Sequence, residues 1–133
     1  MKKHLIIILI MGIMFLTACK NEEINKGDMK YDTITMDEAK EIFETEGDYI
    51  IVDVRRTDEF ADGHIPNAIN IPNESIGGAD IPELPDKEQV IYVYCRSGNR
   101  SKQAAEKLVG MGYSNIVECG GILDWKGEVE SVQ

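Results

Sequence analysis

Apolar positions fall into distinct segments along the chain, and each spacing predicts a different element. Residues 5–16 form a nearly unbroken apolar run. Thr35 and Glu38 have the spacing of a capping box; behind them Ala39, Ile42 and Phe43 share one helical face, and Gly47 can close that helix. Residues 49–54 (YIIVDV) and 90–94 (VIYVY) are rich in β-branched and aromatic residues. They are too continuous for one-sided burial, which predicts central parallel strands. Residues 101–111 place Ala104, Ala105, Leu108 and Val109 on a helical face, with Gly110 or Gly112 as the stop.

The intervening pattern is less regular. Residues 57–61 suit one or two helical turns ended by Gly63, and residues 69–71 and 115–118 suit short strands. Gly77-Gly78 together with three prolines marks a long irregular connection. Strand-like and helix-like segments thus alternate with no internal repeat, which predicts an α/β sheet. The chain of 133 residues is long enough for one packed domain and short for two. That domain is expected over residues 31–133.

The N-terminal segment reads as an address rather than a fold element. Lys2, Lys3 and His4 precede the apolar run, which is shorter than the roughly 20 residues of a spanning helix, and the run ends in Leu16-Thr17-Ala18-Cys19. This stretch resembles a bacterial lipoprotein signal over residues 1–18, with lipidation at Cys19. The expectation is a membrane anchor on the extracytoplasmic face; an uncleaved signal anchor is the alternative. Residues 19–30 are polar and charged, a composition suited to a flexible tether.

Charge narrows the partners. The formal net charge is −10, and loss of Lys2 and Lys3 with the leader leaves 12 basic against 24 acidic residues, or −12. Such a chain repels phosphate at long range, so nucleic acid is not an expected partner and any anion site must be local. Three cysteines, at 19, 95 and 119, make neither a disulfide framework nor the paired spacing of structural zinc. No metal or cofactor is implied, and the sequence leaves the oligomeric state open.

One local site stands out. Cys95-Arg96-Ser97-Gly98-Asn99-Arg100 lies between a predicted buried strand and a predicted helix, where open α/β sheets present their crevices. Residues 95–102 carry three basic residues and no acid. Backbone N–H groups curling into a helix start, with Arg96 and Arg100, would form a nest for an anion. The same field lowers the pKa of Cys95 and strengthens it as a nucleophile. Taken alone, the pattern also fits a small buried cysteine beside solvated arginines.

Longer motifs change that balance. Val52-Asp53-Val54-Arg55, Glu59-Phe60, Gly63-His64-Ile65-Pro66, Ala68-Ile69-Asn70-Ile71-Pro72, Cys95 through Ser101, and Gly120-Gly121 followed by Trp125 occur in order. Over residues 35–125 the chain resembles the single-domain rhodanese family. The resemblance implies a three-layer α/β fold with a central, mostly parallel five-stranded sheet. It implies a sulfurtransferase in which the Cys95 thiolate takes sulfane sulfur from a small donor such as thiosulfate and yields it to a thiol or cyanide acceptor.

It also implies an anion-binding loop of Arg96, Ser97, Gly98, Asn99, Arg100 and Ser101, braced from behind by Asp53, Arg55 and Glu59. Residues 95–100 make the six-residue loop of sulfur transfer rather than the longer one of phosphatase and arsenate-reductase relatives. His64 belongs to a turn and Trp125 to packing. Two other readings remain at this level: a persulfide carrier or sensing module, and a thiol-disulfide protein in which Cys119, on a strand beside the one delivering Cys95, approaches that thiol; the plainer expectation for Cys119 is a free buried thiol.

Overall fold

A computed structural model of the chain describes residues 30–133. The leader, Cys19 and nearly all of the tether expected from the sequence lie outside the described residues. Five strands, β1 (Asp32–Thr33), β2 (Tyr49–Asp53), β3 (Ile69–Asn70), β4 (Val90–Cys95) and β5 (Asn115–Gly121), form one sheet in the order β1-β5-β4-β2-β3. Every ladder is parallel, and helices α1 (Met36–Phe43), α2 (Thr57–Asp62) and α3 (Asn99–Gly110) complete the α/β fold. Among the described residues no helix is long and apolar enough to cross a membrane.

Strand alternation divides the core into two faces. Val52, Val54, Ile91, Val93, Cys95 and Ile116 pack with Ala104, Ala105 and Leu108 of α3. Ile51, Tyr94 and Cys119 pack instead with Met36 and Ala39 of α1. Central strands β2 and β4 therefore bury both of their faces, which is why their sequences show no polar alternation.

Several boundaries move from those the sequence suggests. Thr35 caps α1 as expected, its Oγ1 accepting from the Glu38 N–H at 3.1 Å. The helix nevertheless ends at Phe43 with Glu44 as its cap, ahead of Gly47. Helix α3 starts at Asn99, so Asn99, Arg100 and Ser101 form its first turn as well as the end of the cysteine loop. Strand β5 runs on to Gly121, and β1 is an edge strand that two exposed residues, Asp32 and Thr33, do not announce. The Gly- and Pro-rich connection is irregular apart from a 3₁₀ turn at Asn73–Ser75.

Candidate active site

Cys95 is the last residue of β4, at the carboxyl end of the parallel sheet, and α3 begins four residues later. The turn between them depends on two glycines. Gly98 has φ of 110°, a left-handed value that favours glycine. A Cβ on Gly121 would sit 2.0 Å from the Arg96 carbonyl oxygen, so the loop rests directly on the end of β5. The Leu123 N–H donates to that same carbonyl at 3.2 Å.

The loop is folded around sulfur. The Gly98 N–H donates to Cys95 Sγ at 3.0 Å, and Sγ lies 3.4 Å from Ser101 Oγ. Burial pushes the Cys95 thiol up, while the Ser101 hydroxyl and the N–H groups of Ser101, Gly98 and Ser97 pull it down; the net direction is below the ordinary thiol value of 9.0. No acid occupies the first turn of α3, so the positive end of the helix acts on the site uncancelled from within that turn. Arg96, Ser97 and Asn99 are exposed at the rim, while Gly98 and Ser101 are buried.

Arg100, which the sequence assigns to the anion nest, is paired with an acid. Its guanidinium meets Glu59 on α2 in a two-point pair at 2.7 and 3.1 Å, and that pairing pulls the Glu59 carboxyl below its ordinary value, against burial. Glu59 thereby braces the cysteine loop directly. Asp53 and Arg55 brace it at one remove: both are buried, Arg55 grips Asp53 through Nε and Nη2, and Nη2 also donates to the Gly63 carbonyl. They fix the turn carrying His64 and Ile65, whose N–H donates to the Tyr94 hydroxyl at 3.0 Å. His64 itself stacks on Phe60, with Nδ1 2.8 Å from the Phe60 carbonyl, so it serves the turn.

The approach of Cys119 to Cys95 does not occur. Both thiols are free and buried, but Cys95 belongs to the α3 face of the sheet and Cys119 to the α1 face. Burial followed by the neighbouring Glu118 charge pushes the Cys119 thiol up to about 12, which makes it inert beside Cys95.

Glu118 is the site residue that sequence reasoning missed. It is 1% exposed, and its Oε1 accepts from the Ser101 hydroxyl at 2.6 Å and from the Gly120 N–H at 2.7 Å. The signal was available in the period of β5: Ile116 and Glu118 share a face, and an apolar Ile116 marks that face as buried. Among the described residues no three His, Cys, Asp or Glu side chains gather as a metal site would require.

Comparison with known proteins agrees with this geometry. The family model for the rhodanese-like domain matches residues 35–128. The chain is 40% identical over 108 residues to the adenylyltransferase and sulfurtransferase UBA4 of Candida albicans, covering 76% of this chain and 23% of that protein. It therefore spans about a quarter of the length of that relative. It is 37% identical over 73 residues to the thiosulfate sulfurtransferase PspE of Escherichia coli, covering 55% of this chain and 70% of the relative. A crystal structure of a rhodanese-like domain protein from Staphylococcus aureus superposes with a TM-score of 0.63 at 33% identity, over 77% of this chain and 99% of that one.

Proposed function

Because the chain belongs to the rhodanese-like domain family, we propose that it is a sulfurtransferase whose Cys95 carries the transferred sulfur as a persulfide. The observation that carries this reading is the seat of Cys95 Sγ, with the Gly98 N–H at 3.0 Å and the Ser101 hydroxyl at 3.4 Å. In the first half-reaction the Cys95 thiolate attacks the sulfane sulfur of a donor such as thiosulfate; the donor's S–S bond breaks and sulfite leaves with the electron pair. In the second, an acceptor thiolate or cyanide attacks the outer sulfur, and the Cys95 thiolate is released.

The loop does for both steps what an oxyanion hole does for acyl transfer. Its N–H groups are fixed before the reaction and point where negative sulfur develops, so little reorganisation is needed as charge moves outward. Arg96, Ser97 and Asn99 stand at the rim, where donor and acceptor are met. The six-residue loop, Cys95 through Arg100, supports sulfur as cargo over the phosphate or arsenate handled by longer loops.

We place the enzyme on the extracytoplasmic face of a membrane, held by lipid on Cys19 and a tether over residues 19–30. The support is the sequence of the leader: a basic start, a short apolar run and small residues directly before the cysteine.

Thiocyanate formation from thiosulfate and cyanide tests the reading. Full-length protein is expected to turn over and Cys95→Ser to be inactive. Full activity in Cys95→Ser would overturn the assignment.

A further inference from the structure

Glu118 needs an explanation that the sulfur-transfer steps do not supply. It is a carboxylate 1% exposed, and among the described residues it has no cation partner. Its Oε1 is engaged by Ser101 Oγ at 2.6 Å and by the Gly120 N–H. Ser101 in turn touches Cys95 Sγ at 3.4 Å. The three groups lie on the α3 side of the sheet because 95 on β4 and 118 on β5 both point there, and Ser101, itself fully buried, projects from the first turn of α3 between them.

Ser101 has one hydroxyl hydrogen; the carbonyls of Gly98 at 3.0 Å and Gly120 at 3.3 Å are also in reach, but Glu118 at 2.6 Å and Cys95 Sγ are the two potential anions that claim it. When Cys95 is a thiol, S–H donates to Ser101 Oγ and the hydroxyl donates to the Glu118 carboxylate. When Cys95 is a thiolate, the Ser101 hydroxyl turns to sulfur, and a carboxylate at 118 is left with the Gly120 N–H alone. A buried anion stripped of its donor is costly unless it takes up a proton. The proton leaving sulfur is one hydroxyl away.

We propose that Cys95 and Glu118 share a single proton through Ser101, and that loading the enzyme with sulfur shifts this proton from Cys95 to Glu118. The proposal rests on the persulfide reading above. Loading converts Cys95 thiol, Glu118 carboxylate and thiosulfate dianion into Cys95 persulfide anion, Glu118 carboxylic acid and sulfite dianion. Discharge to cyanide forms thiocyanate and returns the proton through Ser101 to the departing Cys95 sulfur. The buried site holds one negative charge in either resting state, so neither half-reaction accumulates a second anion there. Glu118 is thus a positioning residue that acts through Ser101.

The other titratable groups facing Glu118 do not offer a competing proton path. Tyr31, on the segment leading into β1, is pushed up by burial and then by Glu106 of α3 and Glu118, and so keeps its proton. Cys119, next in sequence, is pushed up to about 12 by burial and then by Glu118. Lys102 lines the same cleft as Glu118, Ser97 and Gly98 but makes no ion pair with it. Opposite Glu118 in the ladders stand Val93 on β4 and Thr33 on β1, neither of them ionisable in this range.

The test uses full-length protein and Glu118→Gln, whose amide oxygen can still accept from Ser101 and Gly120 but cannot hold the proton. Infrared difference spectra are taken on thiosulfate loading and cyanide discharge, with intact mass measured on the same samples. The expected result is a protonated-carboxyl C=O band that appears with the added sulfur, vanishes on discharge and is missing from Glu118→Gln. Sulfur gained with no such band overturns the shared proton and leaves sulfur transfer standing.

If no sulfur is gained, the transfer reading fails, and the pair is judged from the pH profile of Cys95 alkylation followed by peptide mapping. Removing the carboxylate is expected to lower the apparent Cys95 pKa by about one unit, about tenfold faster alkylation below both values. Coincident profiles for the two proteins would overturn the coupling. The wild-type infrared measurement stands without any variant, so misfolding of Glu118→Gln would not remove the test.

Discussion

Arg100 and Glu59 join the cysteine loop to α2: Nη1 to Oε1 at 2.7 Å and Nη2 to Oε2 at 3.1 Å, with side chains 31% and 18% exposed. The pair lies 41 residues apart in sequence, so it records tertiary structure rather than local helix preference. Glu59→Ala removes one end and leaves Arg100 free to leave the loop. Stability is expected to fall by only about 1 kcal/mol, because the pair is partly screened. Thiocyanate formation is expected to fall roughly tenfold or more, because the loop loses its outer brace. Chemical denaturation and steady-state assay check the two effects separately.

The same pair gives a pH dependence with a defined sign. Arg100 holds the Glu59 carboxyl below its ordinary value of 4.5, against the opposing effect of burial. A carboxyl depressed in the folded state contributes stability that is full above its unfolded value and is lost as pH falls through the folded value. Melting temperatures of the wild type and Glu59→Gln are therefore expected to differ at neutral pH and to converge as the pH drops below that ordinary value. A constant difference across the range would show that the ion pair is not its source.

Cys95 and Cys119 occupy opposite faces of the sheet, and their surroundings push the two thiols in opposite directions, Cys95 down and Cys119 up. Iodoacetamide at about pH 8 is expected to label Cys95 rapidly and leave Cys119 untouched in the native protein, because only the thiolate reacts. Mild oxidation is expected to produce no 95–119 disulfide, and Cys119→Ala is expected to load sulfur as the wild type does. Peptide mapping reads all three outcomes; a native 95–119 crosslink would restore the thiol-disulfide reading.

Gly121 has its Cα where the loop backbone passes. Since an added Cβ would lie 2.0 Å from the Arg96 carbonyl oxygen, Gly121→Ala forces the loop or the strand end to move. A destabilisation of about 2–3 kcal/mol is expected from this overpacking. The Cys95 alkylation profile is expected to shift toward an ordinary thiol, as the N–H groups lose their aim.

The parts legible in the sequence were those with short-range causes. Thr35 and Glu38 announced the cap of α1, the two-sided apolar runs announced β2 and β4, and Cys95 through Ser101 announced the loop. Edge strand β1 escaped because Asp32 and Thr33 are exposed and their pairing partners, Val117 and Glu118, lie far along the chain. The sequence assigns Arg100 to the loop and Glu59 to the bracing behind it, but charge counting does not pair residues 41 apart, and their direct contact needed the docking of α2. Strand adjacency lets the sequence bring Cys119 toward Cys95 or leave it a free buried thiol; side-chain alternation, with the core on both faces, sends the two thiols apart. The burial of Glu118 followed from the same alternation, and its contact with Ser101 needed the docking of α3.

The most direct measurement is the intact mass of the full-length protein before and after thiosulfate, and again after cyanide, beside Cys95→Ser. Gain of one sulfur atom on Cys95, its loss to cyanide as thiocyanate, and no gain in Cys95→Ser is the predicted result. Sulfur bound equally well without Cys95, or no sulfur gained from thiosulfate or polysulfide, would contradict the account.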